Sequence, residues 1–459
     1  MAKTSIHPLL KEDNSCRLSV LTPEEHAVVE KIEQVLPQEQ LTSLARECGA
    51  IQRQRKITPA SLLGAFCLLS FHTSCSLRLV AMFMGILGGC VLTKQALAQR
   101  INALWVRLFE RILGCTLAKA AITPEAKAAG VFSGFNRVLV QDSTSLAIPN
   151  KLAAHFPGSG NQNNKRNAMI RVQAILDLLS EKYVYFDITP FTHNDQRAAT
   201  KIIDILSAGD LIIRDLGYFV PLVFQTIQAN GAYFLSRYHH GTDLFHGNGD
   251  KIDLLPLLKK NPSLDMCVHL GKQAKVPVRL VCIPVPEEVA NERRRKLREK
   301  QKRDRRLNPS NEQIALCGWE IFITNVAASI WTLQDVSNAY GLRWRIEIIF
   351  KAWKTHFNFA EFTDGSKDYV LLLLYSRLIF ITLFQATYVG LDRWMGGNAS
   401  GIHISILKFA QFFALILNMA FAATFSRGAL LMANILKHCT YERRRHRLSY
   451  GDLTEILLS

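Results

Sequence analysis

The stretch from Tyr340 to Lys354 holds four side chains whose types and spacing suit chemistry on a phosphate. Arg343, Glu347 and Lys354 follow Tyr340 at successive offsets of three, four and seven residues. On a helix such offsets place side chains on one side, and apolar residues recur with helical spacing in the same stretch. A carboxylate flanked by two cations and an aromatic ring suits a site that holds a metal ion against a phosphate. The same pattern also suits a solvated helix face with a Glu–Lys ladder.

Two further acids end apolar runs that are predicted to be buried strands. Asp142 follows the run Val-Leu-Val-Gln, and Asp215 follows Leu-Ile-Ile-Arg. If the two strands are neighbours, both side chains lie at the lip of one sheet, and the helix that carries Glu347 can pack across it. Each aspartate alone is more typical of a turn at a strand end. Together with Glu347 and the spacing of Tyr340, Arg343 and Lys354 around it, the two aspartates predict a site built from three carboxylates.

Three carboxylates suit a hard divalent cation. Mg²⁺ prefers oxygen ligands and keeps several waters, so three protein carboxylates can suffice. Phosphodiester cleavage needs an activated water or sugar hydroxyl and a stabilised leaving oxygen, and two divalent ions roughly 3.5–4 Å apart supply both. We therefore expect two Mg²⁺ ions, for which Mn²⁺ can substitute, on Asp142, Asp215 and Glu347.

The four residues of the Tyr340–Lys354 stretch match the Y-R-E-K motif of the DDE transposases of bacterial insertion sequences at every position. The residues before the glutamate are also similar to that family: Trp344, Arg345 and Ile346. Asp215-x-Gly217-Tyr218 resembles the turn at the family's second acid. The chain thus resembles a DDE transposase, most closely around Glu347.

This resemblance implies roles for the residues that match the motif. Asp142, Asp215 and Glu347 would be the catalytic acids, while Tyr340, Arg343 and Lys354 would hold DNA phosphates near the scissile bond. Arginine can grip a phosphate with two hydrogen bonds, whereas lysine acts as a point charge. Trp344 would stack on a displaced base or pack against the sheet.

Positive charge is concentrated in one predicted helix, from Glu287 to Arg306. Residues 291–306 hold ten Lys or Arg against three acids, a net charge of +7 out of +17 for the whole chain. We expect this helix to contact DNA phosphates, although a solvated charged helix is the alternative. Its candidate contacts are Arg293, Arg294, Arg295, Lys296 and Arg298. Lys165 and Arg166, after a Gly/Asn-rich loop, reach DNA or lie in a plain solvated loop.

The overall composition favours a polyanionic partner. A net charge of +17 and a pI near 9.5 point to nucleic acid or an anionic membrane. Two apolar runs, Val370–Gly390 and Ile402–Phe425, imitate membrane helices, but polar residues such as Arg377 interrupt them. We expect buried core helices instead, no membrane association, and a bacterial cytoplasmic protein that is associated with the nucleoid when bound to DNA.

The order of the predicted elements indicates an α/β fold. Strands, one helix, a strand and then the helix bearing Glu347 give the element order of a ribonuclease-H-like domain, and the resemblance implies a β-rich insertion before the last acid. Ser76 to Leu113 is predicted as helix, glycine turn and helix, either a helix-turn-helix reader of DNA ends or an ordinary hairpin. The expected regions are a helical DNA-binding part (1–125), the catalytic domain (126–237 and 319–400), the insertion with its basic helix (238–318) and a helical C-terminal region (401–459).

The expected function is that of a DNA transposase. Such an enzyme nicks its element at terminal inverted repeats and joins the 3′ hydroxyl to target DNA, and we expect a homodimer in the DNA complex. The alternatives are a ribonuclease-H-like nuclease without strand transfer and a non-catalytic DNA-binding protein derived from a transposase. All three acids are present, which argues against the non-catalytic alternative.

Overall fold

A computed structural model describes residues 36–53, 57–88, 92–121, 130–160, 166–303, 308–398, 403–419 and 456–457. Lys165 lies outside these residues, as do most of the predicted C-terminal region and the first 35 residues.

The N-terminal part of the described chain is helical, as predicted. Thr58 and Ser61 form a capping box at the start of the second helix, worth about 1 kcal/mol. The second helix predicted within Ser76 to Leu113 is two helices in the structure: Thr93 caps only a short one, and the Asn102 side chain accepts from the Leu104 N–H to begin another. The helices are α1 (Gln38–Glu47), α2 (Pro59–Leu68), α3 (Leu77–Gly88), α4 (Lys94–Ala98) and α5 (Ala103–Ala121).

A mixed sheet of ten strands forms the centre of the described chain. The strands are β1 (Val138–Ala147), β2 (Pro157–Gly160), β3 (Arg166–Asp177), β4 (Lys182–Pro190), β5 (Leu211–Arg214), β6 (Tyr233–Arg237), β7 (Leu244–Phe245), β8 (Leu264–Leu270), β9 (Val276–Pro284) and β10 (Trp319–Thr324). Their order is β2-β3-β1-β5-β6-β10-β9-β8-β7, with β4 also paired to β3. Two short helices connect strands on either side of β5: α6 (Asp195–Ala198) and α7 (Pro221–Ala229).

The register at the centre of the sheet brings the two aspartates together. β1 runs parallel to β5, and their last paired residues are Gln141 and Arg214. Asp142 and Asp215 are the next residues on their two segments, so they lie at the same lip. The prediction that Asp142 ends its strand is wrong, because β1 continues to Ala147 while paired with β3.

The strands predicted as an insertion extend this same sheet. β9 pairs with β10, which pairs in turn with β6, all antiparallel. Three helices accompany these strands: α8 (Leu254–Lys260), α9 (Glu287–Arg303) and α10 (Asn311–Leu316). We call α9 the basic helix; it was predicted to end at Arg306, and residues 304–307 are outside the described part.

In the described part of the chain four helices follow β10, and the first two divide the Tyr340–Lys354 stretch. They are α11 (Leu333–Gly341), α12 (Trp344–His356), α13 (Lys367–Asn398) and α14 (Ile406–Met419). The prediction of one continuous helix is therefore wrong, since Tyr340 lies in the last turn of α11, which ends at Gly341, and Glu347 lies in the first turn of α12. Among the residues that the structure describes, one helical segment, Lys367–Arg393 of α13, is long and apolar enough to span a membrane, and 78% of its apolar window is buried inside the protein.

Candidate active site

The three predicted acids line one pocket of about 560 Å³. Asp142 comes from β1, Asp215 follows β5, and Glu347 projects from α12 across the lip of the sheet. We call this the carboxylate pocket, and its lining residues are Asp142, Ser143, Asp215, Arg343, Glu347, Phe350, Lys351, Lys354 and Thr355.

Arg343 supplies the positive charge at the centre of the carboxylate pocket. Its Nη2 donates to Glu347 Oε1 at 2.6 Å, and its Nη1 lies 3.5 Å from Asp142 Oδ2. The guanidinium also lies over the Tyr340 ring, 5.7 Å from its centroid. Three of the four motif residues therefore meet although a helix break separates Tyr340 from Glu347.

Asp142 is held in a setting that resists ionisation. Burial raises the pKa of Asp142 to about 7, and the negative charges of Asp215 and Glu347 add to this effect. The Ser143 N–H, which donates to Asp142 Oδ1 at 2.7 Å, and the Arg343 guanidinium act against it. A cation that joined the three acids would therefore displace a proton from Asp142 over part of the physiological pH range.

A buried polar contact ties together the two aspartate-bearing strands just behind the pocket. Arg214 donates from Nε and Nη2 to Gln141 Oε1 at 3.1 and 2.6 Å, and from Nη2 to the Ala199 carbonyl at 2.7 Å. Burial lowers the pKa of Arg214 to about 9, so the guanidinium still carries its charge at neutral pH. Gln141 and Arg214 immediately precede Asp142 and Asp215, so this contact holds the strand ends in register.

Lys354, the fourth motif residue, also lines the carboxylate pocket. Lys354 Nζ donates to the Ser145 carbonyl at 3.3 Å, and partial burial lowers the pKa of Lys354. Trp344 is 47% exposed at the start of α12, so it is not packed into the core. Arg166 begins β3, at some distance along that strand from the residues that pair with Asp142.

Arg237 is a pocket neighbour that the sequence analysis missed. It ends β6, the strand beside β5, and its guanidinium lies over the Tyr340 ring at 5.3 Å from the centroid. Within the described residues, three buried polar atoms here have no hydrogen-bond partner: Arg237 Nε, Tyr340 OH and Arg343 Nε. The signal was available, because Arg237 follows an apolar strand in the same way that Asp215 does.

Two of the five predicted cations on the basic helix are committed to the fold. Arg293 donates to the Trp319 carbonyl and to Glu320 Oε1, at 3.2 and 2.8 Å. Arg294 binds Glu287 and Asn291 on its own helix and the Ile314 carbonyl beyond it.

The other three cations face solvent. Arg295 and Lys296 are exposed and form ion pairs with acids of the same helix, Glu292 and Glu299. Arg298 is exposed and forms no ion pair with another described residue. These three side chains are free to turn toward a polyanion, since exposed pairs along a helix are worth only ~0.5 kcal/mol.

Comparisons with known proteins agree with the motif. Residues 133–379 match the family described as Transposase DDE domain. The chain is 27% identical over 368 residues to the transposase for insertion sequence element IS231B of Bacillus thuringiensis subsp. berliner, covering 76% of each protein. It is also 27% identical over 366 residues to the transposase for IS1151 of Clostridium perfringens, covering 75% of this chain and 76% of that one.

The chain therefore belongs to the DDE transposases of bacterial insertion sequences, which confirms the resemblance seen around Glu347. Among solved structures it is similar to the piggyBac transposase synaptic complex with hairpin DNA, with a TM-score of 0.43 and 12% identity over 92% of this chain and 86% of that one.

Proposed function

We propose that the carboxylate pocket is the active site of this transposase. Asp142, Asp215 and Glu347 act there as the catalytic acids that cut DNA at the ends of the element and join it to target DNA. The supporting observation is convergence: three acids from distant parts of the chain line one pocket with two cations of the same motif. A solvated helix face would not bring Asp142 and Asp215 to Glu347.

The donor set fits divalent metal ions of the Mg²⁺ type. All three acidic ligands offer hard oxygens, and the pocket leaves room for the waters that Mg²⁺ retains. Within the described residues no three His, Cys, Asp or Glu side chains stand close enough together to hold a metal ion, so the three acids would have to draw together around the ions. Asp142, Asp215 and Glu347 would hold the ions, and Arg343 would release Glu347 as they bind. Two such ions would activate the attacking oxygen and stabilise the leaving one.

The cations and aromatic residues of the pocket would hold the substrate. Arg237 Nε, the Tyr340 hydroxyl and Arg343 Nε have no hydrogen-bond partner among the described residues, and they would donate to a phosphate that reached them. Lys354 adds a point charge at the open side, and the exposed Trp344 offers a face on which a displaced base can stack. These residues orient the DNA strand and have no part in moving its protons.

The strand order supports a ribonuclease-H-like core for this site. Around the pocket the order is β4-β3-β1-β5-β6, with β3 antiparallel to β1 and with β5 and β6 parallel to it. In that arrangement the first two acids lie on adjacent central strands and the third comes from a later helix. The insertion strands β7–β9 then lengthen the sheet beyond β10.

Flanking DNA would run along the more distant basic residues. The exposed side of the basic helix, with Arg295, Lys296 and Arg298, suits sequence-independent phosphate contacts. Lys165 and Arg166 belong to the same proposal. We further propose that terminal inverted repeats are the substrate and that two copies of the protein pair them in the DNA complex.

A cleavage assay on a supercoiled plasmid carrying two element ends tests the proposed active site. Asp215→Asn keeps the shape of the side chain but removes a charged ligand, so nicking with Mg²⁺ is expected to fall below detection while DNA binding persists. Asp364→Asn is the matched control, because Asp364 is an exposed surface aspartate that pairs with Lys151. Near-normal nicking by Asp215→Asn would sink the assignment.

The same assay separates the alternatives. Cleavage without strand joining on paired ends would favour a nuclease without transfer. No metal-dependent cleavage by the unsubstituted protein would favour a non-catalytic derivative.

A further inference from the structure

Asp195, at the start of α6, touches the segment that carries the first acid. One oxygen, Oδ1, accepts three hydrogen bonds: from Ser143 Oγ at 2.8 Å, Arg171 Nη1 at 2.8 Å and Gln173 Nε2 at 3.0 Å. Ser143 lines the carboxylate pocket and directly follows Asp142. Asp195 therefore lies one residue away from a proposed metal ligand without itself lining the pocket.

The other oxygen of Asp195 lies against the segment that carries the second acid. A Cβ placed on Gly217 would come within 3.1 Å of Asp195 Oδ2 and 3.3 Å of Asp195 Cβ. Gly217 is two residues beyond Asp215. A second link runs in parallel, because the buried Tyr218 hydroxyl donates to Gln173 Oε1 while the amide of Gln173 donates to Asp195.

These contacts begin where the backbone ladder stops. The parallel pairing of β1 with β5 ends at Gln141 and Arg214, one residue before each acid. Beyond that point β1 and β5 share no backbone hydrogen bonds, so side-chain contacts set the distance between Asp142 and Asp215. Asp195 contacts both segments at once, and Arg171, only 13% exposed, balances its charge.

We propose that Asp195 is a positioning residue that fixes the separation of Asp142 and Asp215. The proposal rests on the function proposed above, in which these two aspartates hold metal ions. Metal sites tolerate little displacement of their ligands, and residues that orient a ligand typically affect metal affinity by about 10- to 100-fold. The proposal also explains Gly217, whose backbone does not require glycine and whose missing side chain makes room for Asp195.

The test measures Mn²⁺ binding to the free protein by electron paramagnetic resonance, with thermal denaturation alongside to monitor folding. Asp195→Ala removes the carboxylate that contacts both aspartate-bearing segments, and we expect Mn²⁺ affinity to fall about 10- to 100-fold. Gly217→Ala drives a methyl group toward the carboxylate, and we expect a loss of similar size. Gly134→Ala is the matched control, since a Cβ there meets nothing within 4 Å.

The double variant Asp195→Ala/Gly217→Ala distinguishes positioning from general damage. Asp195→Ala removes the contact with Oδ2 at 3.1 Å and leaves only the one with Cβ at 3.3 Å, so the double variant is expected to bind Mn²⁺ about as well as Asp195→Ala alone. If the losses of Mn²⁺ affinity in the two single variants multiply fully in the double variant, the positioning role of Asp195 is wrong, because independent sites add their free energies. If Asp195→Ala fails to fold, the Mn²⁺ affinities of Asp195→Asn and Gly217→Ala test the proposal instead, since both variants keep a side chain of the native size at position 195.

Asp142→Asn separates this inference from the proposed function. If Asp142→Asn loses Mn²⁺ while the Asp195 and Gly217 variants bind it normally, Asp195 has no positioning role and the active site stands. If Asp142→Asn binds Mn²⁺ and cleaves DNA like the unsubstituted protein, the active-site assignment itself is wrong.

Discussion

The carboxylate pocket and the basic helix are built in opposite ways. In the pocket, acids that are far apart in the sequence lie close together, and one arginine, Arg343, contacts two of them. On the basic helix, cations that are adjacent in the sequence diverge, so Arg293 and Arg294 bind the fold while Arg295, Lys296 and Arg298 face solvent. Residues that converge in space can act as one site. In a run of like charges, by contrast, only the side chains that face solvent are available to bind a partner.

The largest expected effect is on DNA cleavage, and it comes from removing any one of the acids in the carboxylate pocket. Asp142→Asn and Glu347→Gln should each lower cleavage of paired ends by a factor of 10³ or more, and the double variant should be no worse than either alone. Ligands of one metal site fail together, so their effects are far from additive. The measurement is the cleavage rate in Mg²⁺ for the two single variants and the double variant; multiplicative losses would show that the acids act separately.

Arg343→Ala is expected to separate metal binding from substrate binding. Without the guanidinium, Glu347 is released and the pocket becomes more negative, so Mn²⁺ should bind at least as tightly as before. Cleavage of paired ends should nevertheless fall about 100-fold, because the proposed donor to the scissile phosphate is lost. Affinity for Mn²⁺ and single-turnover cleavage are measured on the same preparation, and Lys151→Ala, on an exposed lysine outside the pocket, serves as the control. A loss of Mn²⁺ affinity would contradict the proposed role of Arg343.

The salt dependence of DNA binding sharpens the comparison on the basic helix. Neutralising Arg295, Lys296 and Arg298 together should lower the slope of log affinity against log salt by about two to three units, since each phosphate contact contributes about 0.9. The pair Arg293→Ala/Arg294→Ala should leave this slope unchanged and instead lower the melting temperature. Both variants are titrated on end-containing and random duplexes. An unchanged slope in the triple variant would show that the helix is only a solvated surface.

The smallest expected effect is on stability, and it depends on pH. Because the folded-state pKa of Asp142 is raised to about 7, its native carboxylate costs stability as pH rises from about 4 through 7. Asp142→Asn removes this cost, so it should stabilise the protein by about 2–4 kcal/mol at pH 8 and by little at pH 4, where the carboxyl group of the unfolded chain is itself only partly ionised. Thermal unfolding at both pH values tests the sign; equal shifts at the two would exclude an ionisation effect.

The parts of the molecule that could be predicted from the sequence rest on local patterns. Asp142 and Asp215 were found because each follows an apolar run, and Glu347 because its motif neighbours lie within one stretch. Even so, local patterns did not show that β1 continues past Asp142 or that the helix is interrupted between Tyr340 and Glu347.

The parts that were missed depend on which segments become neighbours. Arg237 matters only because β6 lies beside β5, and Asp195, which the sequence presents as a helix start, matters only because it meets Ser143 and Gly217. The ion pair of Arg293 with Glu320 could not be predicted either, because Glu320 lies on a strand that follows the basic helix in the sequence. Long-range pairing of this kind leaves no trace in residue spacing.

The continuity of the sheet has a consequence for shortening the protein. An added segment that joins a sheet at its edge lengthens it without disturbing the register of strands already paired, which is how residues 238–318 can sit between Asp215 and Glu347 without moving either. The converse is costly. Removing those residues would strip β10 of its partner β9 and expose a row of unpaired backbone groups, a template for pairing with another chain. A shortened transposase of this type would be expected to lose solubility before it lost its chemistry.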